Sequence, residues 1–134
     1  MNITKSYTNK DYNLGYAYHH GVGFEKNDKL AFECYQRSAV MYDHRLANFS
    51  LGHCYSHQGV GVAIDHAKAF EYYKKSFDQG LPEGIYMVGR CYRDGIGVVK
   101  NVQNAQMFFL MATSHGVAGP FDIGRCFKRD YEII

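Results

Sequence analysis

With 134 residues the chain has the length of one domain. Apolar residues make up 46 % of it, with 12 Tyr, 9 Phe and only 2 Pro, a composition that excludes disorder and requires a buried core. A formal net charge of +2 is too small for a nucleic-acid footprint, and the longest apolar run, residues 107–112, is too short to cross a bilayer. The opening residues, Met1-Asn2-Ile3-Thr4-Lys5-Ser6-Tyr7, hold no apolar leader core, so a soluble cytoplasmic chain without membrane insertion is expected.

From the N-terminus, the first helical stretch covers about 9–20 and carries Leu14-Gly15-Tyr16-Ala17-Tyr18. Its pattern of aliphatic, Gly, variable, small, aromatic returns as Leu51-Gly52-His53-Cys54-Tyr55, Val88-Gly89-Arg90-Cys91-Tyr92 and Ile123-Gly124-Arg125-Cys126-Phe127, at steps of 37, 37 and 35 residues. A fixed period of this size marks a solenoid. After the first three comes a turn, Gly21-Val22-Gly23, Gly59-Val60-Gly61 and Gly95-Ile96-Gly97, followed four residues on by the N-cap types Asn27, Asp65 and Asn101. Each N-cap opens a second helix with Ala and an aromatic four apart: Ala31 and Tyr35, Ala69 and Tyr73, Ala105 and Phe109. Helices of the first kind are predicted near 9–20, 45–57, 82–94 and 118–129, and of the second kind near 28–41, 66–79 and 102–115. Glycine inside a helix costs about 1 kcal/mol relative to Ala. Its recurrence implies close approach, for which backbone-to-backbone packing of the two helices is the expected form.

Leu-Gly-x-x-Tyr, then Gly-Val-Gly, then Asp65-x-x-Lys68-Ala69-Phe70-Glu71-Tyr72-Tyr73-Lys74-Lys75-Ser76 resembles the Sel-one-like repeat family, a relative of the tetratricopeptide repeat. The resemblance implies an all-α, right-handed α-solenoid, an alpha-alpha superhelix of helix-turn-helix units. One domain, 1–134, is expected, with repeats at about 9–42, 43–80 and 81–116 and a partial repeat at 117–134. The partial unit either ends in a polar cap, with Lys128, Arg129, Asp130 and Glu132, or is cut from a longer parent.

Cys54, Cys91 and Cys126 share one repeat position, where stacked helices stand about 9–10 Å apart, beyond the about 7 Å reach of a disulfide. They read as small core residues, and no Cys-x-x-Cys is present. His53 and His57 have the i, i+4 spacing of metal ligands, and His20, His57 and Asp94 share another repeat position, but converging third and fourth ligands are lacking; a solvated face is expected, with no metal or cofactor. Secreted bacterial members of the family carry a disulfide in each repeat and resemble β-lactamases in activity. The cysteines here occupy other positions, so that reading, a β-lactam-binding hydrolase, stands only as the alternative, and no catalytic constellation is expected.

In tetratricopeptide-like stacks the first helices line the concave side. Counted from each Gly, one helical stripe then holds Asn9, Tyr12, Tyr16, His19 and His20; Leu46, Phe49, His53, Ser56 and His57; Glu83, Tyr86, Arg90, Arg93 and Asp94; and finally Phe121, Arg125, Lys128 and Arg129. Its C-terminal half is mostly basic. The expectation is a protein-interaction scaffold or adaptor whose groove accepts an extended acidic segment or a C-terminal carboxylate. Arg90, Arg93, Arg125 and Arg129 would pair the charge, and Tyr86 and Phe121 would supply apolar contact.

Overall fold

The computed structural model describes residues 9–56 and 59–116. They form six helices: α1 (Lys10–His20), α2 (Asp28–Tyr42), α3 (Arg45–Tyr55), α4 (His66–Asp78), α5 (Pro82–Asp94) and α6 (Val102–Ser114). The main helix–helix contacts run between chain neighbours, and the three hairpins α1–α2, α3–α4 and α5–α6 stack into an all-α solenoid. The expected partial repeat lies outside the described residues.

Local chemistry starts each second helix. Asn27, Asp65 and Asn101 are extended N-caps whose side chains accept from the backbone N–H groups of Leu30, Lys68 and Asn104. Such caps are each worth about 1 kcal/mol. Before them the turn repeats its hydrogen bonds: Val22, Val60 and Ile96 donate N–H to the carbonyls of Ala17, Cys54 and Cys91, and the three N-cap residues donate theirs to Tyr18, Tyr55 and Tyr92. The central hairpin differs in one respect. α3 ends at Tyr55 rather than at 57, with Ser56 extended and its hydroxyl donating to the His53 carbonyl.

At the three repeat glycines a ring, rather than backbone alone, takes the place of the missing side chain, with the Ala31 carbonyl also near Gly15; helix backbone comes up against Gly84 instead, where a Cβ would lie 2.9 Å from the Phe77 nitrogen. A Cβ on Gly15 would lie 2.8 Å from ring atoms of Tyr35, one on Gly52 2.6 Å from Tyr73, and one on Gly89 2.9 Å from Phe109. The aromatic four residues after each conserved-pattern Ala therefore lies over the glycine of its own hairpin. Tyr35, Tyr73 and Phe109 are all buried. On the other side of Tyr35 and Tyr73 the next hairpin closes the core. Leu51 and Cys54 share a cluster with Ala31 and Tyr35, while Val88 and Cys91 share one with Ala69 and Tyr73.

Between hairpins a ring column repeats. Tyr55 meets Phe32 edge-on (5.6 Å) and stacks on Tyr72 (5.8 Å); Tyr92 meets Phe70 edge-on (5.8 Å) and stacks on Phe108 (5.5 Å). The second turn glycines, Gly61 and Gly97, have φ of +73° and abut the carbonyls of Asp28 and His66, the first residues of the preceding helices α2 and α4. A side chain there would be both strained and without room.

Gly52→Ala tests this packing. The substitution gains helix propensity of about 1 kcal/mol but overpacks against Tyr73, a cost of about 1–3 kcal/mol. A net loss of stability is expected in urea denaturation, and in the Gly52→Ala/Tyr73→Leu double variant the two losses should add to less than their sum.

Candidate functional site

A cleft of about 480 Å³ opens between α1 and α3. Tyr12, Tyr16, His19 and His20 of α1 form one wall, and Leu46, Phe49, Ser50 and His53 of α3, with Ser56, form the other. Tyr35 of α2 and Val60 of the second turn contribute from within the stack; Leu81 and Glu83 come from the start of α5. Helical spacing accounts for both walls, since residues four apart project from one face.

The walls differ in exposure. Tyr16 is 47 % exposed and packs against His20 with 4.2 Å between ring centroids. Tyr12 is half-buried, 5.7 Å from Tyr35 and 5.2 Å from His44, and burial raises the pKa of both phenols, with Ser50 as their shared hydrogen-bond partner. Neither ionises near neutrality. His19 stacks on His20 at 4.5 Å, and burial, followed by the charges of His20 and Lys26, holds its pKa below the ordinary 6.5. Lys26 is ion-paired with Asp28 at 2.8 Å.

On the opposite wall His53 meets Phe49 edge-on at 4.8 Å, and its Nδ1 lies 3.0 Å from the buried Tyr73 hydroxyl. The ring that locks Gly52 thus also orients an imidazole of the cleft. His53 and Ser56 continue into a smaller crevice between α3 and α5, with Arg90, Met87 and Ile96 around it. The two cavities share that edge.

The remaining stripe positions fall elsewhere. Arg93 departs from the expected role in pairing a ligand: it is 5 % exposed, and its guanidinium donates two hydrogen bonds of 2.9 Å to the Asp94 carboxylate. An adjacent acid in the last turn captures it before any partner does. Tyr86 is half-buried against Phe109 at 5.3 Å and belongs to the core beneath α5. Asn9 is the buried N-cap of α1 and accepts from Tyr12 N–H and Ser38 Oγ. His57, Phe121, Arg125, Lys128 and Arg129 lie outside the described residues. Sequence reasoning missed Tyr35, Ser50, Val60 and Leu81, because they follow other offsets than the exposed stripe; the Gly–aromatic offset would have pointed to Tyr35.

Among the described residues no group of three or more His, Cys, Asp or Glu side chains is placed to hold a metal ion. Cys34, Cys54 and Cys91 are free and buried, and burial pushes the thiols of Cys54 and Cys91 up to about 12, which leaves them protonated packing groups. No described helix is long and apolar enough to cross a membrane.

Stacked helical hairpins with an open inter-hairpin groove define the class of α-solenoid repeat proteins. Within it, the chain belongs to the Sel1 repeat family, whose repeat matches residues 11–39, 45–81 and 82–117. No curated protein matches the chain. Among solved structures, it is similar to a Sel1 repeat protein from Oxalobacter formigenes, with 31 % identity and a TM-score of 0.73, over 79 % of this chain and 42 % of that one. It is also similar to c5321, a protective antigen of uropathogenic Escherichia coli strains that displays an SLR fold, with 28 % identity and a TM-score of 0.74, over 79 % of this chain and 22 % of that one. This chain thus spans well under half of each of those two. Cysteine-rich protein B of Helicobacter pylori shares the fold, with 24 % identity, a TM-score of 0.66 and 86 % coverage of both chains.

The depressed pKa of His19 has a consequence for stability. The unfolded chain takes up this proton before the folded one, so the contribution is full above pH 6.5 and is lost as pH falls through the folded value. Comparing urea midpoints at about pH 7.5 and about pH 5, His19→Gln is expected to lose less stability on acidification than the parent chain.

Proposed function

We propose that this chain is a protein-interaction scaffold whose groove, running along α1, α3 and α5, holds an extended segment of a partner protein, with an acidic group of that segment directed to Arg90. The observation that carries the reading is the continuous opening itself: the about 480 Å³ cleft shares His53 and Ser56 with the crevice that contains Arg90. A solenoid offers extended surface, and rings such as Tyr16 and Phe49 supply contact area at low entropic cost. Binding rather than catalysis is the activity assigned. A cytoplasmic location is part of the same reading, supported by three free, buried cysteines that need no oxidising compartment. The chain is read as one repeat domain.

Selection of displayed extended peptides on the full chain tests this. Enrichment of Asp and Glu is expected, and Arg90→Glu should weaken the selected peptides by about tenfold or more, the size of a lost charge-assisted hydrogen bond plus repulsion. Selection of no peptide would overturn the scaffold reading; selected peptides indifferent to Arg90→Glu would overturn the acidic contact.

A further inference from the structure

The cleft between α1 and α3 differs in electrostatic character from the Arg90 crevice beside it. Among its described lining residues, Glu83 is the only one with a formal charge at neutral pH; the rest are phenol, phenyl, imidazole, hydroxyl and aliphatic groups. Of the cations around it, Lys26 is paired with Asp28, Arg37 with Asp11 and Arg93 with Asp94, and Arg90 lines the adjoining crevice rather than this cleft. The cleft is lined by aromatic rings, whose faces carry the negative side of a quadrupole, and by one exposed carboxylate. That combination attracts a cation. A guanidinium fits better than an ammonium, because it is planar, stacks on rings and is more weakly hydrated.

We propose that the cleft between α1 and α3 is a recognition pocket for an arginine side chain of the bound segment, with the guanidinium against the rings of Tyr12, Tyr16 and Phe49 and its charge met by Glu83. The inference rests on the reading of the groove as a peptide site and names its anchor; the ligand is then bipolar, an arginine in the α1–α3 cleft and an acid toward Arg90. Acidification opposes the anchor, because His19 lines the same cleft and gains positive charge once the pH falls through its lowered pKa. The groups facing His19 are His20 on α1, Lys26 in the turn, and Asp28 and Tyr35 on α2; beside His53 stand Phe49 on α3, Tyr73 on α4 and Arg90 on α5.

The test is an amide-detected NMR titration of the full chain with N-acetylarginine amide, N-acetylcitrulline amide and N-acetylglutamate amide. The arginine probe is expected to shift the amides of Tyr16, Phe49 and Glu83. The citrulline probe, of similar shape but uncharged, should bind about tenfold more weakly. Glu83→Gln, at an exposed position, should weaken the arginine probe several-fold with the spectrum otherwise unchanged, and acidification from about pH 7.5 to about pH 5.5 should weaken it further. Equal binding of arginine and citrulline, preference for the glutamate probe, tighter binding on acidification, or no response to arginine up to its solubility would each overturn the proposal. If acidic peptides still bind through Arg90 while the arginine probe fails, the anchor falls and the scaffold reading stands; if neither binds, both fall.

Discussion

One contact organises the molecule: an aromatic ring of the second helix laid over a glycine of the first. Tyr35 on Gly15, Tyr73 on Gly52 and Phe109 on Gly89 repeat it three times among the described residues. The glycine weakens its helix by about 1 kcal/mol, and the return is a large buried ring that no Cβ would admit. Over Tyr35 and Tyr73 the next hairpin then closes the ring's other side with the residues one before and two after its own glycine. Packing within a unit and packing between units therefore share the same few side chains, which is why no single hairpin has a complete core of its own.

That arrangement divides the sequence into two roles. Positions read from the glycine as packing are nearly uniform: Leu51 and Val88, Cys54 and Cys91, Tyr55 and Tyr92. Positions one and four after the glycine, on the outer stripe, vary from Tyr16 and His19 in the first hairpin to His53 and Ser56 in the second and Arg90 and Arg93 in the third. The variation is not separate from the core, since Tyr73 both fills the space over Gly52 and bonds His53. Local chemistry in the groove is thus set from beneath by the same ring that sets helix spacing.

Much of this was legible from the period. The glycine interval, the Gly-x-Gly turns and the Asn and Asp caps locate six helices to within a residue or two, because each signal acts on the backbone next to it. Tyr12, Tyr16, Phe49 and His53, which helical spacing puts on one stripe and the tetratricopeptide resemblance puts on the concave side, line the cleft between α1 and α3. What escaped depended on partners distant in sequence or on competition between neighbours. Tyr35 enters the cleft from another helix, and Leu81 reaches it from the following unit. Arg93 looked available until the structure gave it to Asp94. Backbone contact was expected at the glycines because a missing side chain says only that something approaches, not what.

The most direct measurement of the account is the NMR signature of the glycine Hα protons in the full chain. A ring lying over Gly15, Gly52 and Gly89 shifts at least one Hα of each upfield and gives cross-relaxation to the ring protons of Tyr35, Tyr73 and Phe109 respectively. The account predicts all three pairs. Ordinary glycine shifts without those cross-peaks would contradict it and return the helices to a different packing register.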